Sequence, residues 1–174
     1  MLYVLPVVWA AVIVWGRRRG ATWARIGGRL ILAGALLLIV AFAILPLPTS
    51  GWRWDIQGFP TLVPFRTIRS MLAYGLVDDE IRELFGNIAL FGPLGFALPL
   101  AVPRFRRAVL TIGAGAIVSL SVEVIQMFIP AHGPDLDDVI LNTLGAATGY
   151  TGYAFVRLIA NWVAPGRADA AGRV

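Results

Sequence analysis

Residues 30–47 carry no charged side chain and run out at Pro46 and Pro48. As a helix, a stretch of about 20 apolar residues crosses the roughly 30 Å of hydrocarbon in a bilayer. Three more stretches repeat the pattern. Residues 84–102 lie between Glu83 and Pro103, with Asn87 as their polar member. Residues 108–129 contain Glu123 and Gln126 and are closed by Pro130, and residues 139–156 carry Asn142 and small hydroxyls. A shorter run near the N-terminus has no charge before it and Gly16-Arg17-Arg18-Arg19 after it. A signal peptide has the reverse charge order and a small-residue cleavage site, so an uncleaved first helix fits better than a cleaved leader.

These stretches predict an all-α, polytopic transmembrane helix bundle of about five spans: 2–16, 30–47, 84–102, 108–129 and 138–158. They form one domain over residues 1–163, and residues 164–174, rich in Ala, Gly and Arg, form a disordered tail. Composition agrees: 58% of residues are apolar and 14% charged, with mean hydropathy +0.76, whereas soluble domains carry about 25% charged residues. The net charge of +5 comes in short clusters between apolar runs rather than on a polar face, which argues against nucleic-acid binding. The chain has no Cys and a single histidine, His132, which excludes disulfides, thiolate metal sites, cysteine nucleophiles and two-histidine metal motifs. No metal is expected, and no cofactor is indicated.

Basic loops stay cytoplasmic. Arg residues at 17, 18, 19, 25 and 29, at 104, 106 and 107, and at 157, 167 and 173 fall on one side, with Asp169 as the acid there. The other side holds Arg53, Arg66, Arg69 and Arg82 among Asp55, Asp78, Asp79, Glu80, Glu83, Asp135, Asp137 and Asp138. The N-terminus is therefore expected outside and the C-terminus in the cytoplasm. Between the second and third spans, Phe65, Ile68, Leu72 and Leu76 recur at helical spacing, with Arg66, Arg69 and Ser70 away from them. This predicts an amphipathic helix in the outer headgroup region or a loop folded over the outer helix ends.

A carboxylate inside a span costs at least about 2.5–3.5 kcal/mol at the bilayer centre, so Glu123 is the leading candidate for a function. It lies about 9 Å from the outer end of its span, and Gln126, three residues on, is expected on the same face. Asn87, Asp138 and Asn142 fall at the same outer level. The small face Gly145/Gly149 is expected to press against a neighbouring span. If that neighbour is 108–129, Asn142 meets Gln126 or Glu123. Blander roles are also open: Asp135 as a helix N-cap with Asp137 at the positive helix end, the amides as interhelical glue, and Gly92-Pro93 with Gly95 as a kink.

Four motifs carry a family resemblance. They are Leu62-Val63-Pro64-Phe65-Arg66-Thr67-Ile68; Asn87 through Phe91, Pro93 and Gly95; Glu123-Val124-Ile125-Gln126; and Asp135, Asp138, Asn142, Thr143 and Gly145. Together they resemble the VanZ-like family of small bacterial membrane proteins. Thr61 stands where that family often has Asn, and Ala131-His132 where a Gly-Arg pair is common. The resemblance implies a multi-pass protein of the bacterial cell membrane and a role like that in resistance to the glycopeptide teicoplanin. The expected partners are a membrane lipid, a lipid-linked wall precursor or an amphiphilic antibiotic, held in an outward-facing pocket of Asn87, Glu123, Gln126, Asp135, Asp138 and Asn142. Pro64, Phe65, Pro93, Gly145 and Gly149 are its structural motif positions. A lipid-modifying enzyme with Glu123 as general acid or base, even with Mg²⁺ or Ca²⁺ among the carboxylates, is the alternative. Transport is disfavoured, because the inner halves of the spans lack strongly polar residues.

Overall fold

The computed structural model describes residues 23–44, 63–66, 69, 73, 78–129 and 134–163. Among them the regular elements are all helices, with no strand. Helix α1 (Trp23–Ile39) passes into a π-helical stretch, Val40–Ile44. Helix α2 is Asp78–Ala101, a short 3₁₀ helix is Pro103–Arg106, α3 is Ala108–Gln126 and α4 is Leu136–Val163.

Helix α1 starts before the uncharged run at 30–47, so Arg25 and Arg29 belong to its first turns rather than to a loop. Gly27-Gly28 looks like a helix breaker in sequence, but Gly28 is where α2 ends against α1. A Cβ there would lie 2.6 Å from Leu100 Cβ and 2.7 Å from the Ala101 nitrogen. Helix α2 likewise begins at Asp78, ahead of the apolar stretch, and stays α-helical through Pro93 and Pro99. Helix α3 ends at Gln126, short of the expected 129. The chain tightens there, with Phe128 N–H donating to Ile125 C=O at 3.1 Å and Ile129 N–H to Gln126 C=O at 3.0 Å, a common way to use the orphan carbonyls of a helix end.

Among the described residues, three helices are long and apolar enough to cross a membrane: Trp23–Ile44, Leu84–Ala101 and Ala108–Gln126, with hydropathies of 2.3, 1.6 and 2.0. Helix α4 is 28 residues long, about 42 Å, but it is more polar. Much of that polarity is internal, since Thr143, Thr148 and Thr151 each donate to the carbonyl four residues back. Such back-bonding hides hydroxyls from an apolar surrounding. The expected spans at 2–16, the tail at 164–174 and His132 lie outside the described residues. Of the expected amphipathic segment, one helical hydrogen bond, Arg69 N–H to Phe65 C=O at 2.9 Å, is described.

The helices alternate in direction, and α2 packs most extensively against α4, then α1 against α2 and α3 against α4. Phe91, Leu94 and Leu98 of α2 form the core with Ala35 and Ile39 of α1 and Val122 of α3. The small face of α4 meets α2, not α3 as one expectation had it. A Cβ at Gly149 would fall on the Gly92 carbonyl, one at Gly95 on the Ala146 carbonyl, and one at Gly145 would come 2.5 Å from the Ile88 carbonyl. Glycine at these positions lets two backbones touch. At the opposite end from the acidic residues, Tyr150 donates to the Arg106 carbonyl at 2.8 Å, closing the α2–α3 connection onto α4.

Candidate functional site

Antiparallel alternation brings the ends of α1 and α3 to the same end of the bundle as the starts of α2 and α4. Every candidate polar residue sits there. Asp135 precedes α4 and caps it, as the sequence suggested: Asp137 N–H donates to Asp135 Oδ1 at 2.9 Å, satisfying one of the helix's orphan donors. Asp135 Oδ2 faces the Arg66 guanidinium at 2.8 Å. Its own N–H donates to Glu123 Oε2 at 2.9 Å. One residue thus ties the Pro64-Phe65-Arg66 turn, the end of α3 and the start of α4 together.

Asp137 makes the second tie to the turn, accepting the Phe65 N–H at 2.5 Å. Phe65 has φ of 60°, the left-handed region that a bulky side chain rarely enters. That conformation aims its N–H at the helix start. Asp135 and Asp137 are buried, at 6% and 3% exposure, whereas Phe65 and Arg66 are exposed. The two aspartates thus cap a helix and dock a loop with different atoms: Asp135 Oδ1 takes the cap bond, while Asp135 Oδ2 and Asp137 Oδ1 hold Arg66 and Phe65.

Glu123 is 5% exposed and Asn142 is 4% exposed, but no hydrogen bond joins Asn142 to Glu123 or Gln126. Asn142 Nδ2 donates instead to Ser119 Oγ at 2.9 Å. The antiparallel register explains this. Asn142 pairs with Ser119 and, one turn further along both helices, Ala146 meets Gly115, so α4 runs back along α3 away from Gln126. Ser119 was readable in sequence as the residue one turn before Glu123 on the same face. Asn142 Oδ1 is buried without a hydrogen-bond partner.

Gln126, the last residue of α3, is offset from Glu123 by about 60° around the helix axis and takes a different partner. Its Nε2 donates to the Ala43 carbonyl at 3.0 Å, in the π-helical stretch of α1. Asn87 Nδ2 donates to Asp138 Oδ1 at 2.6 Å, joining α2 to α4. The expected single pocket is thus two neighbouring arrangements. One is the polar junction of Arg66, Glu123, Asp135, Asp137, Ser119 and Asn142. The other is a groove of about 480 Å³ between α1 and α2, lined by Leu38, Phe42, Ala43, Gly86, Asn87, Ala89, Leu90, Pro93 and Gln126. Among the described residues no group of three or more His, Cys, Asp or Glu side chains is placed to hold a metal ion. Glu123, Asp138 and Asn142 face separate partners.

No curated protein and no solved structure matches the chain. A protein-family profile does. It is described as VanZ/LLP1, and residues 32–157 match it, a stretch that takes in α2, α3, the turn at Pro64 and all the polar residues just described. The chain belongs to the VanZ/LLP1 family.

Proposed function

We propose that the protein is a multi-pass component of the bacterial cell envelope whose outward-facing polar junction engages the head of an amphiphile. That amphiphile is an envelope lipid, a lipid-linked wall precursor or a glycopeptide-type antibiotic such as teicoplanin. The observation that carries this reading is the convergence of the turn at Arg66 and the end of α3 on the buried Asp135–Asp137 pair at the start of α4, with α2 joined beside it at Asp138. The exposed guanidinium of Arg66, whose side chain is 59% accessible, presents a charge suited to a phosphate or carboxylate head. The orientation follows from Arg25, Arg29, Arg104, Arg106, Arg107 and Arg157, which belong to the opposite end of the bundle, with basic ends kept cytoplasmic. Trp23 and Trp162, 69% and 83% exposed, lie at that same end, where an aromatic belt is favoured.

The test is teicoplanin susceptibility of a strain overexpressing the protein, its Glu123→Gln variant or its Asn142→Ala variant at matched membrane abundance. Protection by the parent and its loss in both variants is expected. Equal protection by all three refutes the reading. Catalysis by Glu123 is the competing view. The Asp135 N–H on its Oε2 gives that carboxyl group a joining task and favours binding over turnover. Formation of a product from envelope lipids by the purified protein, lost in Glu123→Gln, would reverse that preference.

A further inference from the structure

The groove between α1 and α2 is separate from the junction and has a different chemistry. Its walls are apolar: Leu38 and Phe42 on one side, Leu90 and Pro93 on the other. At its junction end stand two amides, each with its nitrogen committed. Asn87 Nδ2 is held by Asp138, and Gln126 Nε2 by the Ala43 carbonyl. Among the described residues neither amide oxygen accepts a hydrogen bond. The groove therefore offers a hydrocarbon wall ending in two hydrogen-bond acceptors. Its volume is within the roughly 300–1,000 Å³ typical of ligand sites.

Both flanking helices are long and apolar enough to cross a membrane. Phe42 at the rim is 70% exposed and Leu38 46%. In a bilayer, what reaches such a rim is a lipid chain. We propose that this groove seats one hydrocarbon chain of a membrane amphiphile whose head supplies hydroxyl donors to the Asn87 and Gln126 oxygens. The π-helical stretch contributes by presenting the Ala43 carbonyl that orients the Gln126 amide, in keeping with the use of π-turns at binding sites. The proposal rests on the reading of the protein as an amphiphile-binding membrane protein, and it names the chemistry of the chain and head.

The experiment uses full-length protein in phosphatidylcholine vesicles. These are doped either with phosphatidylglycerol carrying a mid-chain diazirine, or with phosphatidylcholine carrying the same chain. The first head has hydroxyl donors and the second has none. After illumination, adducts are mapped by peptide mass spectrometry. Adducts from the glycerol probe are expected to concentrate in the peptides holding residues 38–43 and 86–93 and to exceed those from the choline probe. Ala89→Trp should abolish them, whereas Ile117→Trp, on an exposed face of α3, should not. Gln126→Leu should erase the preference between probes. Gly86→Leu is the second blocking variant, since a Cβ there meets nothing within 4 Å. Even labelling over all exposed faces, or labelling indifferent to both blocking variants, overturns the seat. Equal labelling by the two probes overturns the donor-head assignment. The junction is untouched by these variants, so loss of teicoplanin protection in Glu123→Gln and loss of labelling in Ala89→Trp fail or succeed independently.

Discussion

Adding one methyl group at Gly149 is expected to separate α2 from α4. The new Cβ would land on the Gly92 carbonyl oxygen and also within 2.8 Å of the Phe96 nitrogen and 2.9 Å of the Gly92 carbonyl carbon. All three are backbone atoms, so no rotamer change relieves the overlap and the helices themselves must move. Overpacking typically costs 1–3 kcal/mol, and an unyielding backbone on the far side places Gly149→Ala near the top, at about 3 kcal/mol. Gly95→Ala meets the Ala146 backbone in the same way and should cost a similar amount. Gly145→Ala, against the Ile88 carbonyl at 2.5 Å, should cost less, and Gly152→Ala, with Phe96 Cδ2 at 3.7 Å, should be near neutral. Gly34 and Gly113 are the internal controls, because a Cβ at either meets nothing within 4 Å. There alanine gains up to about 1 kcal/mol of helix propensity. Reversible unfolding in mixed micelles, followed by far-ultraviolet circular dichroism, ranks the series. If Gly149→Ala and Gly34→Ala agree within about 0.5 kcal/mol, the range of a bland surface change, the α2–α4 contact is not a backbone contact and the packing argument fails.

Asp135→Ala removes an N-cap and should destabilise by about 0.5–2 kcal/mol. The coupling of Asp135 to the largely exposed Arg66, read from a double-mutant cycle, should stay below about 1 kcal/mol and shrink with salt. Glu123→Gln keeps an oxygen for the Asp135 N–H and should be nearly as stable as the parent. Glu123→Ala leaves that buried donor unpaired and should cost about 1–3 kcal/mol in the same unfolding assay. Ser119→Ala should be destabilising alone yet partly rescued in Ser119→Ala/Asn142→Leu, because the double change removes both partners and an acceptor that was already bare. The chain lacks cysteine, so single cysteines at 66 and 104 report sidedness directly. Position 66 should react with an impermeant maleimide in intact cells and position 104 only after permeabilisation.

The apolar runs and the carboxylate inside one of them were legible in sequence because burying charge in hydrocarbon is costly enough to leave a plain pattern. Asp135 as a cap was legible for a similarly local reason: an aspartate just ahead of an apolar run has one favourable task. Register was not legible. Gly145 and Gly149 announce a close helix contact, but the spacing of small residues does not say that α2 supplies the other backbone, nor does it give the register of α4 along α3 that pairs Asn142 with Ser119 rather than Gln126. Nor does spacing settle which partner a side chain takes. Gln126 and Glu123 lie three residues apart in α3, about 60° apart around it, and that offset suffices to give the amide to Ala43 while the carboxylate faces Asp135. Phe65 is the extreme case, since its left-handed backbone is fixed by Asp137, a residue far along the chain.

The pairing of Glu123 with the Asp135 N–H has a consequence for biogenesis. The ribosome makes α3 before it makes the donor that its carboxyl group needs, so α3 alone would enter hydrocarbon with an unmet acceptor. That burden, for a carboxyl group one turn from the outer helix end smaller than the roughly 2.5–3.5 kcal/mol at mid-bilayer, is lifted when the next segment emerges. Helices α3 and α4 are thus expected to leave the translocon together, as a hairpin closed at its tip, and a pause inserted between them should strand the nascent chain at the lateral gate.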